Sequence, residues 1–178
     1  GDAQARGRGG KAMSGPIPFS VVFLTAAAGP GTRAAPFGAA RVASALKAWS
    51  APQPAASAGS NDAPSGPGRP IHASIVEAEP DESPEALAAR TLALSPDLVG
   101  LSLYSWNSVR LEAAGAALKA ARPGLVIVAG GPDASADPEA LAARGPADVV
   151  VAGEGERVIV DLVAAMLSGK PLPGPVVR

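Results

Sequence analysis

A chain of 178 residues with 47% hydrophobic residues can bury the core of one domain and still carry some loose sequence. With 15 Lys and Arg against 16 Asp and Glu, the net charge is -1 and the pI about 5.8, so no basic field draws phosphate backbones or anionic lipid, and nucleic acid and membrane are excluded as expected partners. The lack of cysteine excludes disulfides, thiolate zinc sites, a cysteine nucleophile and any iron–sulfur cluster held by these residues alone.

The polar, Gly-rich start "GDAQARGRGGKA" cannot form a core, and residues 1–18 are expected to be a disordered leader or an expression remnant. The β-branched run at 21–25 predicts the first strand. Its basic lead-in and the alanines at 26–28 imitate an export signal, yet the same run is needed as a strand, so a cytoplasmic protein is expected. The Gly/Pro loop "AAAGPGTRAAP" then leads to an apolar-periodic helix over 37–49. Residues 51–70 are nearly all Ala, Pro, Ser or Gly, which predicts a flexible surface insertion.

After the insertion strands and helices alternate. Strands are expected over 71–76, 98–103, 125–129 and 148–152, with helices over 83–94, 108–121, 138–144 and 156–167. Ser83 before Pro84 and Asp137 before Pro138 mark helix starts, a capping side chain followed by a proline at the first helical position. Five apolar strands, each followed by a helix, predict an α/β domain over 19–168, a doubly wound five-stranded parallel sheet of Rossmann-like, flavodoxin-like order 2-1-3-4-5. In that order ligands bind beyond the carboxyl ends of the strands, at the switch point between strands 1 and 3.

Two loops border that point. The loop after strand 1 holds Gly29, Gly31 and Ala34, which formally match a dinucleotide fingerprint, with Glu77 or Glu79 available for a ribose. A dinucleotide-binding domain of an oxidoreductase therefore stays open as the alternative, although three alanines precede the glycines and Pro36 delays the helix. The loop after strand 3 reads Leu103, Tyr104, Ser105, Trp106, Asn107, an aromatic cluster in a chain with two Trp and one Tyr. An aromatic surface suits a large planar ligand, while Asn107 equally suits a helix cap. Gly130 and Gly131, followed by Pro132, and Gly153 and Gly155 end strands 4 and 5, leaving the crevice edge bare of side chains. Glu154 and Glu156 suit a helix N-terminus. His72, the single histidine, is expected at the amino end of strand 2, away from the crevice.

The segments "PDLVGLSLYSWN", "VIVAGGPDAS" and "ADVVVAGEGE" resemble the cobalamin-binding domain of cobalamin-dependent radical S-adenosylmethionine enzymes. The resemblance extends over about residues 19–167. Pro36, Phe37 and Gly38 are similar to that family's helix start, and "GEGE" at 153–156 is the most specific piece. By resemblance, Ser102, Gly130 and Gly131 stand where the wider fold holds the nucleotide tail, so that a side chain at Gly131 would project into the tail's path. The histidine motif that the methionine-synthase-like members carry after strand 1 is absent. This implies base-off cobalamin without a histidine ligand, whose lower face looks at the loop over 29–36, with Arg33 the functional side chain in reach. The resemblance further implies a catalytic partner domain, in cis or in trans, that would carry the iron–sulfur cluster and S-adenosylmethionine and perform methyl transfer or a cobalamin-assisted rearrangement. No activity is expected from these residues alone, and 169–178 would lead toward that domain. A free-standing cobalamin carrier, or an interaction domain with a vestigial site, remains the other reading.

Overall fold

The computed structural model describes residues 17–29, 36–51 and 69–178. Strands β1 (Phe19–Ala26), β2 (Ile71–Ala78), β3 (Leu98–Ser102), β4 (Val126–Gly130), β5 (Val149–Val151) and β6 (Val176–Val177) form one parallel sheet of order β2-β1-β3-β4-β5-β6. Helices α1 (Phe37–Ser50), α2 (Pro84–Leu92), α3 (Ser108–Ala121), α4 (Pro132–Ala136), α5 (Pro138–Arg144) and α6 (Gly155–Leu167) cover its faces. The expected five-stranded order is present with a sixth strand added. Val150 and Ala152 donate backbone hydrogen bonds to Pro175 and Val177, so part of segment 169–178 lies along the sheet edge. The five-residue α4 sits where a plain turn was expected.

The strands alternate between two cores because successive side chains of a strand point to opposite faces. In β1, Val22, Leu24 and Ala26 join Leu87 of α2, Leu111 and Leu118 of α3 and Leu141 of α5. Phe19, Val21 and Phe23 face the other way, toward Ala39, Ala43 and Leu46 of α1 and Ile159, Leu162 and Val163 of α6. Ser83 and Asp137 cap α2 and α5, accepting from Ala86 N and Ala140 N as their Pro-led sequences predict. Arg69, just before β2, lies with its guanidinium 5.5 Å from the centre of the Phe19 ring and is paired to Asp97.

The distribution of helices creates an opening. The crossovers from β2 to β3, β3 to β4 and β4 to β5 run on one face, which α2, α3 and α5 cover continuously. On the other face α1 serves the opposite step, β1 to β2, and α6 doubles back to join it. The crossover from β5 to β6 thus has the opposite hand to the rest, against the strong preference for right-handed units, and β6 is only a two-residue strand. Two helices therefore cover one face while α2, α3, α4 and α5 cover the other, and the carboxyl ends of β3, β4 and β5 stay open between α1 and α6.

Candidate functional site

At that opening lies a cleft of about 230 Å³. Register builds its wall. Ser102 pairs with Gly130 at the carboxyl ends of β3 and β4, and both line the cleft. One pleat deeper, Phe23 of β1 pairs with Gly100, which pairs with Val128, and all three line it as well. Val151, Gly153 and Ile159 complete the β5–α6 side, while Gly38, Ala39 and Val42 of α1 face them.

Glycine is required at particular points here. A Cβ on Gly100 would stand 2.5 Å from Cδ1 of Phe23, so the bare backbone of β3 lets the Phe23 ring lie against it. Gly38 leaves room for the Tyr104 hydroxyl, 3.1 Å from where its Cβ would be. Gly131 has φ +111, and a Cβ there would come within 2.5 Å of the Leu103 carbonyl oxygen. A side chain at Gly131 would thus strike the β3–α3 backbone rather than project into the cleft, which corrects the expectation for this residue. The turns after β4 and β5 are tied together by Ser135, whose hydroxyl donates to Gly131 O and accepts from Gly153 N, at 2.9 and 3.0 Å.

The aromatic cluster stands at the rim. Tyr104 and Trp106 stack with ring centroids 4.6 Å apart and planes 17° from parallel. Tyr104 lines the cleft, and Trp106 is 51% exposed while its indole N–H donates to Ala26 O at the end of β1. Asn107 occupies the position before α3 but makes no helix-cap bond from its side chain. Buried to 2% exposure, it accepts from Tyr104 N at 2.8 Å and donates to Ser102 O and Ala26 O. It is the knot that holds the β3–α3 loop to the end of β1, across the switch point.

Of the residues expected from sequence, Ser102, Tyr104, Gly130, Gly131, Pro132, Gly153, Glu154 and Gly155 line the cleft. Leu103 does not: its side chain is fully buried in the core beneath α2 and α3, because the strand's alternation turns it to the opposite face. Phe37 is 74% exposed, and neither it nor Pro36 lines the cleft. Gly31 and Arg33 lie outside the described residues. Helix α1 begins at Phe37, eight residues after Gly29, whereas a dinucleotide fingerprint opens its helix at the glycines. His72 is exposed at the second position of β2, far from the cleft.

Sequence reasoning missed the deep lining, Phe23, Gly100, Val128, Val151 and Ile159, because buried apolar strand residues read as ordinary core. Gly100 alone carried a signal, since glycine inside a strand marks a close approach. It also missed the ion pair between Arg41 and Glu156, 2.6 Å, which links α1 to α6 beside the cleft mouth. Among the described residues no group of three His, Cys, Asp or Glu side chains could hold a metal ion, and no helix is long and apolar enough to cross a membrane.

Comparison with known proteins agrees with this architecture. A stretch of 88 residues is 39% identical to the 2-(S-pantetheinyl)-carbapenam-3-carboxylate methyltransferase of Streptantibioticus cattleyicolor, covering 47% of this chain and 13% of that protein. Another of 90 residues is 36% identical to the cobalamin-dependent radical SAM methyltransferase TokK of Streptomyces tokunonensis, covering 48% of this chain and again 13% of the relative. The chain thus matches a small part of each relative's length. The model of the B12 binding domain family matches residues 27–163, which include the glycine turns, the aromatic rim and every residue lining the cleft except Phe23, and the chain belongs to that family, with cobalamin as its cofactor.

Proposed function

We propose that this chain holds cobalamin base-off and without a histidine ligand, as the N-terminal module of a radical S-adenosylmethionine methyltransferase-like enzyme whose catalytic domain acts in cis or in trans. The cleft carries the reading. At about 230 Å³ it is below the roughly 300–1,000 Å³ of pockets that enclose a whole drug-sized ligand, so it can take an appendage of the cofactor but not the macrocycle. The nucleotide tail is the appendage with a flat apolar ring, and the deep lining of Phe23, Gly100, Val128 and Val151 suits it. The macrocycle then lies across the glycine-lined rim beside Tyr104 and Trp106, whose ring faces supply apolar area. The Ser102 and Tyr104 hydroxyls at the mouth are placed to hydrogen-bond the polar part of the tail.

Bound there, cobalamin supplies a cobalt that accepts and donates a methyl group. The protein's part is positional. Asn107 fixes the aromatic rim to the end of β1, and Ser135 fixes the turns after β4 and β5 to each other. His72 sits six residues before the carboxyl end of β2, about 20 Å away along the strand, so no imidazole from these 178 residues reaches the rim. The relatives' names support a methyltransferase setting.

The test is to mix the purified chain with hydroxocobalamin, desalt it and record the visible spectrum, with an NAD titration in parallel. Retained corrinoid absorbance and no NAD binding is the expected result. NAD binding without corrinoid retention would overturn it.

A further inference from the structure

We infer that the cleft selects among corrinoid cofactors by the apolarity of their tail base, accepting a benzimidazole or phenol-type base and rejecting a purine that carries an exocyclic amine. The inference rests on the reading that the cleft receives the tail. Its inner wall is made of Phe23, Gly100, Val128, Val151 and Ile159, each side chain among them 5% exposed or less. None of these side chains has a hydrogen-bonding atom. The polar groups that line the cleft, the hydroxyls of Ser102 and Tyr104 and the charges of Arg41, Glu154 and Glu156, belong to its mouth.

Backbone offers little more at depth. Gly100 stands in a central strand paired on both sides, with Phe23 in β1 and Val128 in β4, so the strand carbonyls there are committed to the sheet. The Phe23 ring against the bare Gly100 backbone forms a flat floor, a surface for an aromatic ring face. A purine amine that reaches this depth leaves water and meets no side-chain acceptor on the inner wall, and an unpaired buried donor is costly. A cresol ring fills the same space with carbon, and dimethylbenzimidazole does so apart from one acceptor nitrogen, with no donor to leave unpaired. Coordination to cobalt plays no part in this selection, which is why a phenol-type tail, unable to ligate the metal, should serve as well.

Four probes test it by intrinsic tryptophan fluorescence titration of the chain: cobalamin, p-cresolylcobamide, adeninylcobamide and the tail-less cobinamide. Cobalamin and p-cresolylcobamide should bind comparably, adeninylcobamide roughly tenfold or more weakly, and cobinamide more weakly than cobalamin. Equal affinity for cobalamin and adeninylcobamide would overturn the selection while leaving the tail in the cleft. Equal affinity for cobalamin and cobinamide would show that no tail enters, overturning the inference while cobalamin binding itself stands. Binding of none of the four would remove the functional reading together with the inference. Val151→Thr, which adds a hydroxyl at nearly constant volume, should narrow the gap between cobalamin and adeninylcobamide. An unchanged gap in a variant that still binds cobalamin would show that the apolar depth is not what discriminates.

Discussion

Asn107 makes its contacts with atoms on three different segments, and its loss should be felt in both fold and cofactor binding. Asn107→Ala removes the acceptor of Tyr104 N and a donor to Ser102 O, a loss of roughly 1–3 kcal/mol, while Ala26 O keeps the Trp106 indole as a partner. Urea denaturation should register that loss, and corrinoid retention should fall with it. Trp106 behaves differently, being half exposed and held by one stacking partner and one hydrogen bond. Trp106→Ala should cost about 1 kcal/mol of stability or less while cobalamin washes out faster on desalting. Retention equal to the parent's would show that the aromatic rim does not touch the cofactor. Of these two roles, Trp106's was legible in the sequence as an aromatic in a loop at a strand end. Asn107's was not, because an Asn before a helix reads as a cap, and which backbone groups its amide meets depends on how close the end of β1 comes.

Between elements, the β2–α2 turn is clasped to its neighbours by charge. Arg90 pairs with Glu82 at 2.7 Å and donates to Glu77 O, while Arg110 of α3 donates to Glu79 O and Glu82 O. The Arg90 hydrogen bond holds the Glu82 carboxyl below its ordinary value of 4.5, against the opposing effect of burial. A depressed folded pKa gives stability that is present in full above about 4.5 and lost as pH falls through the folded value. Thermal melts from pH 6 to 2 should show this loss in the parent, and Glu82→Gln should be less stable at pH 6 but lack that part of the acid dependence, roughly as linkage requires. An identical acid profile in the two proteins would contradict it. Gly131→Ala tests the β4–α4 turn: at φ +111 with the Leu103 carbonyl 2.5 Å from the new Cβ, it should destabilise by roughly 1–3 kcal/mol. Gly100→Ala tests the cleft floor instead. Its Cβ displaces the Phe23 ring from β3 toward the cleft, so affinity for cobalamin should drop toward that for cobinamide while cobinamide binding is kept. The longer elements were legible because their apolar periods run for several turns or pleats. Helix α4, five residues long, and β6, two residues long, offer no period to read, and β6 forms only because the chain after α6 returns to an open sheet edge.

At the scale of the whole molecule, strand order and a site at the carboxyl edge could be anticipated from the alternation of strands and helices, whereas the apolar depth of the cleft could not. It arises from α6 doubling back beside α1 to share a face that two helices cannot close, a consequence of tertiary arrangement that no local pattern encodes. The same arrangement separates the cleft at the carboxyl edge from His72 near the amino edge. On the proposed reading, a tail lodged between α1 and α6 would take its own base away from cobalt, with His72 too distant to replace it. Loss of a nitrogen donor would make cobalt(III) a stronger Lewis acid and easier to reduce, which suits the proposed methyl-accepting role. Electron paramagnetic resonance of the chain loaded with cobalamin and reduced to cobalt(II) tests this most directly. The expected spectrum shows no superhyperfine splitting from an axial nitrogen and is unchanged in His72→Ala, whereas splitting by an axial nitrogen would contradict base-off binding without histidine.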